Sequence, residues 1–239
     1  MTNLPLRIHP QPDDTTCGPT CLHAIYQYYQ DAISLAQVIA ETRRLDHGGT
    51  LDVFLALHAL RRGYRCRIYP YNLRLFDPSW FIPESRDLSA CLWKQEQVKK
   101  DPLLRLASSA YREYLQLGGE VVYRDLTSSL LRQIVSQGNP VLCGLNANYL
   151  YRSCREIPDT GADDPIGGEP SGHFVVIYGY NKAGRKLLVA DPYRANPLDI
   201  GHSYRVGAER LIGSILLGAL TFDANLLVIS PKEDNQCNG

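Results

Sequence analysis

The stretch SGHFVVIYGYNKAGRKLLVADPY at 171–193 constrains this chain more than any other. Two β-rich runs, HFVVIYGY at 173–180 and KLLVA at 186–190, flank a turn at 181–184 and read as an antiparallel hairpin. Antiparallel pairing brings the two far ends of such a hairpin together. With the turn centred on 182 and 183, His173 lies opposite Val189–Pro192, within the usual slippage of hairpin pairing. The Asp191 carboxylate can then accept a hydrogen bond from the His173 imidazole, which fixes its tautomer and stabilises its charged form. Singly, each residue has an ordinary explanation: a histidine after glycine can begin a strand, and aspartate before proline is a common turn former.

A nucleophile for such a pair stands near the N-terminus. In CGPTCLHAIYQYY, Leu22, Ile25 and Tyr29 recur at helical spacing, and Pro19 sits where an opening turn tolerates it. Cys17 is therefore the doorstep of a helix, where free N–H groups and partial positive charge stabilise a thiolate. Gly18 lets the backbone approach a substrate closely. Acyl transfer also needs donors aimed at the developing oxyanion, and the side-chain amide of Gln11, six positions before Cys17, can serve beside the Cys17 backbone N–H. Without the other three residues, Gln11 reads as a surface glutamine, and Asp13 and Asp14 as solvated or helix-entry charges.

Around these residues the chain runs from helices to strands. Ser34 and Gln37 form a capping-box pattern opening a helix to Arg44, and Thr50 caps another ending at Gly63. Tyr64, Cys66 and Ile68 alternate as a strand, 70–83 reads as loop, and 88–117 reads as helical. VVY at 121–123, PVLCGL at 140–145 and NLLVI at 225–229 are further β-rich runs. The stretches 127–137 and 206–217 have helical spacing, 146–172 is a polar loop without a period, and 231–239 reads as a frayed tail.

With 25 Lys+Arg against 25 Asp+Glu, the balance points to no nucleic acid, anionic membrane or acidic partner, although a local charged groove is compatible with it. The longest apolar stretch, Leu211–Phe222, is too short and too interrupted by glycine to span a bilayer, and MTNLPLRIHPQPDD lacks the basic and apolar regions of a signal peptide. A cytoplasmic protein without membrane insertion is the expectation. Seven scattered cysteines suit a reducing compartment, with Cys21, Cys66, Cys91 and Cys143 read as core residues. Cys17, Cys21 and His23 form a weak metal-ligand pattern, so no metal and no cofactor are expected.

In combination these segments resemble the papain-like cysteine peptidases, specifically the bacteriocin-processing (double-glycine leader) peptidases and their stand-alone relatives. The likeness rests on Gln11, Cys17, Gly18 and Pro19, on Gly-His-Phe-Val-Val at 172–176, and on Val-Ala-Asp-Pro at 189–192. It implies an α+β fold in which a helical half with a central cysteine helix packs on an antiparallel sheet whose edge carries His173 and Asp191. It further implies Cys17 as nucleophile, His173 as base then acid, Asp191 as orienter and Gln11 as oxyanion donor, with Gly18 and Gly172 beside a peptide or protein substrate. Thr16 departs from the pattern, since many relatives carry aspartate before the cysteine. Residues 1–230 are expected to form one domain with inserted segments near 72–117 and 146–171. Two other readings use the same residues: an acyltransferase with an amine acceptor, whose lid would be 146–171 hinged at Gly161, Gly167 and Gly168, and a non-catalytic peptide-binding module. Tyr149, Tyr151, Tyr178, Tyr180 and Tyr193 either line the cleft or pack the strands.

Overall fold

The computed structural model describes residues 2–46, 48–82, 86–158, 160–181, 185–198 and 201–232. A short strand, β1 (Thr2–Asn3), leads to α1 (Cys17–Tyr28), whose residues from Gly18 to Tyr26 are all buried. A helix apolar on every side belongs in the interior. α2 (Leu35–Glu41) is capped by Ser34, whose hydroxyl accepts from the Gln37 N–H at 3.2 Å. The Gln37 side chain reaches forward to Glu41 at 2.7 Å instead of back to the cap, and the helix stops short of the expected Arg44. α3 (Asp52–Arg61) starts later than expected, because the Thr50 hydroxyl donates to the Arg43 carbonyl at 2.8 Å and leaves Leu51 as a cap without a side-chain bond.

β2 (Arg65–Pro70) follows, and a 3-10 turn at Pro78–Phe81 interrupts the expected loop. The stretch 88–117 is two helices, α4 (Leu88–Val98) and α5 (Pro102–Gln116). The break falls where the Asp101 carboxylate accepts from the Leu103 and Leu104 N–H groups and Pro102 takes the first helical position. β3 (Glu120–Val121), α6 (Ser128–Ser136) and β4 (Val141–Asn146) come next. The expected loop 146–172 carries α7 (Ala147–Tyr151), capped by Asn146, and Glu156 then bridges to both Asp163 and Glu169. β5 (Gly172–Asn181) and β6 (Lys186–Ala190) are the two arms of the hairpin, whose turn at 182–184 lies outside the described residues, as does 233–239 of the expected tail. The stretch 206–217 divides into β7 (Ser203–Gly207) and α8 (Ala208–Leu217), and β8 (Asn225–Ser230) closes the fold.

One sheet collects the strands in the order β3-β2-β8-β4-β5-β6-β7, with β1 also paired to β5. Every pairing is antiparallel except β2 with β3. Alternation sorts the strand side chains onto two faces. Leu142, Val176 and Leu227 join the core under α1, α3 and α5, while Cys143, Val175 and Leu226 join the core under α6 and α8. His173 and Asp191 lie at or just past the ends of interior strands, not on an edge strand, so the expected edge position is corrected. Among the described residues no helix is long and apolar enough to cross a membrane.

Gly144 on β4 marks the tightest crossing near the site. A Cβ there would lie 2.1 Å from the Asp223 carbonyl oxygen, a main-chain atom that cannot swing aside. Gly144→Ala is expected to cost about 2–3 kcal/mol, read as a lower urea midpoint at unchanged m-value.

Candidate active site

The α1 start places Cys17 half-buried at the foot of the sheet, and its neighbours along the helix turn inward. β5 pairs with β6 as Val176 to Ala190 and Ile177 to Val189, one residue off the expected register, and a bulge at Tyr178 shifts it once more toward the turn. His173 therefore lies beyond the last ladder pair, and the Asp191 side chain reaches it from the end of β6. His173 Nε2 meets Asp191 Oδ1 at 2.9 Å, with both side chains buried. The Cys17 side chain is close enough to raise the same imidazole, and with Nε2 given to Asp191, Nδ1 is the nitrogen left for the thiol.

Asp191 is fully buried and its carboxylate is saturated. Oδ1 also accepts the Tyr193 N–H at 3.0 Å, and Oδ2 accepts the hydroxyls of Tyr151 at 2.7 Å and Tyr204 at 2.8 Å. Burial pushes this carboxyl up, but the His173 charge and these hydrogen bonds outweigh it and hold the group below the usual carboxylate range. For His173, burial alone disfavours the charged form; the Asp191 carboxylate, followed by the Cys17 side chain, more than reverses this and lifts the imidazole to about 10. Backbone contacts fix the loop itself, since the Asp191 N–H donates to the His202 carbonyl at 2.9 Å.

Gln11 is buried and tied to the same loop: its N–H donates to the Pro192 carbonyl at 2.8 Å, and Arg194 Nε donates to its carbonyl at 2.8 Å. One N–H of its side-chain amide goes to the Asp13 carbonyl at 2.9 Å, while Oε1 is buried without a partner. Thr16, directly before the cysteine, is buried and donates to that same Asp13 carbonyl at 3.0 Å. Gly18 is buried, and a Cβ there would strike Thr50 Cγ2 at 2.7 Å, so it serves close packing of α1 and lies off the groove. Gly172 is exposed and lines the groove next to His173. The trio Cys17, Cys21 and His23 does not converge, because the Cys21 thiol donates to the Phe174 carbonyl at 3.2 Å and His23 packs near His9.

The groove has two joined parts of about 400 and 460 Å³. Cys17, Phe174 and Asp223 line one, and Gln11, Tyr151, His173 and Tyr193 line the other. Glu156, Pro158 and Gly161, from the stretch expected to be a lid, wall both. Of the five tyrosines considered for the cleft, Tyr151 and Tyr193 reach it and stack on each other at 6.0 Å. Tyr180 is buried under Arg132 instead, and Tyr149 is exposed against Gly213. Sequence reasoning missed Tyr204 and Asp223. The period-two burial of Tyr204 and Val206 was the available signal for the first; the second follows a turn with no period.

Helices packed on both faces of this antiparallel-dominated sheet, with a cysteine helix set against the histidine strand, define a papain-like α+β fold. Residues 98–206 match the model of the Peptidase_C39 like family, a span that includes His173 and Asp191 and ends short of Gln11 and Cys17. The structure of a putative C39-like peptidase from Bacillus anthracis has the same fold, with TM-score 0.51 and 12% identity over 97% of this chain and 98% of that one. The peptidase domain of Streptococcus ComA, a bi-functional ABC transporter, aligns with TM-score 0.47 and 15% identity over 95% and 99% of the two chains. A double glycine motif protease from an AMS/PCAT transporter, in complex with its leader peptide, aligns with TM-score 0.47 and 14% identity over 96% and 94%. No curated protein matches the chain by sequence.

Proposed function

We propose that this chain is a cysteine peptidase that works through an acyl-enzyme, with Cys17 as nucleophile, His173 as proton carrier and Asp191 as orienter. The observation that carries the reading is the imidazole of His173, held on Nε2 by the buried Asp191 carboxylate and raised further by the nearby Cys17 side chain, in an open groove that both residues line. In this scheme the thiol proton rests on His173 Nδ1, and Cys17 Sγ attacks the scissile carbonyl. The developing oxyanion is received by the Cys17 backbone N–H and the second amide hydrogen of Gln11. His173 then gives its proton to the leaving amine, leaving a thioester, and takes one back from the water that hydrolyses it. Asp191 keeps the ring in the productive tautomer throughout. The same reading takes residues 1–230 as one domain, with 72–117 and 146–171 as elaborations flanking the groove.

Intact-mass labelling with limiting iodoacetamide tests it. Cys17 is expected to be alkylated at least about tenfold faster than Cys21, Cys66 and Cys143, whose thiols burial pushes up, and to lose that advantage in His173→Ala. Slow, uniform labelling of all the cysteines in the parent protein would sink the assignment.

A further inference from the structure

The formal charge of the chain is +0, yet the groove is one-sided. Asp14, Glu156, Glu169 and Asp223 line it, and no lysine or arginine does among the described residues. Two arginines next to lining residues are engaged with main-chain carbonyls: Arg155 donates to those of Pro165 and Ile166 at 2.6 and 3.1 Å, and Arg194 to that of Gln11 at 2.8 Å. The Tyr193 phenol senses the same asymmetry, raised first by burial and then by the charges of Glu156, Asp14, Asp163 and Asp191.

Asp223 is the unusual member. It is 8% exposed, and it lines the groove beside Cys17. Burial, and then the Asp52 charge, push its carboxyl well above the usual carboxylate range; it meets the Thr221 hydroxyl and feels His173, and no lysine or arginine pairs with it among the described residues. Two glycines make room for it: a Cβ at Gly172 would lie 2.3 Å from Asp223 Oδ2, and one at Gly144 would strike its carbonyl. A carboxyl buried without a cation is held in its neutral form, and an entering ammonium or guanidinium supplies the charge that lets it ionise.

We propose that the groove selects a cationic peptide, with a lysine or arginine side chain of the substrate entering the pocket beside Cys17 and ending at Asp223. Asp14, Glu156 and Glu169 extend the same field along the walls and draw in further positive charge. This inference rests on the peptidase reading and adds the substrate class to it.

The test measures binding to Cys17→Ala protein, which does not turn over, by anisotropy of three fluorescein-labelled peptides in which alanine alternates with lysine, norleucine or glutamate. The lysine peptide is expected to bind at least about tenfold more tightly than the norleucine peptide, with glutamate weakest, and the advantage should shrink as ionic strength rises. Adding Asp223→Asn, close in shape, should remove most of that advantage. Adding Glu169→Gln, at an exposed position that leaves the fold alone, should reduce it severalfold. Equal binding of the lysine and norleucine peptides, no binding by any of the three, or a lysine advantage untouched by both substitutions would overturn the proposal. Such a failure is distinct from failure of the peptidase reading, which the alkylation of Cys17 tests without any peptide.

Discussion

Cys17→Ala is expected to lower kcat/KM for peptide cleavage by about four orders of magnitude or more while the protein melts within a few degrees of its parent. The two halves of this outcome have separate causes. In the proposed scheme turnover depends on one sulfur atom, and the Cys21 thiol one turn further along does not replace it, because it is buried and bonded to the Phe174 carbonyl. Stability depends on what α1 buries, and that work falls to Leu22, Ile25 and Tyr26, each fully enclosed, while Cys17 is only half-buried. Truncating a side chain at the core margin leaves little cavity behind. Peptide turnover and differential scanning calorimetry on the two proteins check both parts; a variant that fails to fold would make the thiol structural.

Asp191→Ala should behave differently and lose both properties. Removal of the carboxylate strands the buried imidazole of His173, the buried hydroxyl of Tyr204 and the half-buried Tyr151 without their acceptor. Breaking a buried ion pair from one side costs about 3–5 kcal/mol, and catalysis should fall by about four orders of magnitude as the ring loses its tautomer. The pH dependence identifies the cause. The folded value of His173 is raised to about 10, so its contribution to stability is complete below 6.5 and is lost as pH rises through about 10. The folded value of Asp191 is lowered, so its contribution is present above 3.8 and is lost as pH falls through the folded value. The stability gap between parent and Asp191→Ala in urea titrations should therefore be widest between pH 3.8 and 6.5 and close toward both extremes. A gap that ignores pH would assign the loss to packing alone.

What could be read from sequence was what local spacing determines. The hairpin 173–190 was legible because its register is set by a short turn, and α1 because its apolar residues recur at helical spacing. The ring of groups around Asp191 was only half legible for the same reason. Tyr204 arrives from β7, a five-residue strand, and its hydroxyl finds Asp191 through sheet order, which no local pattern encodes. Asp223 follows Phe222, a residue in the left-handed region at φ 71°, and its neighbours across the sheet are two glycines that are distant in sequence. The helix errors have local causes of competition. Thr50 had a carbonyl within reach that won its hydroxyl from the cap, and Asp101 with Pro102 was a start signal hidden inside a longer apolar period.

The place of β8 in the sheet bears on how the molecule comes into being. Among the described residues, β2 and β3 join the strand pairing of the block β4 to β7 only through β8, which pairs with β2 on one side and β4 on the other. A chain leaving the ribosome can assemble its first helices and the histidine hairpin, but the seam between the two parts of the sheet stays open until residues 225–230 are synthesised. Asp223, which lines one arm of the groove, stands at the turn that leads into that strand. The candidate groove therefore gains its Asp223 wall later in synthesis than its histidine hairpin.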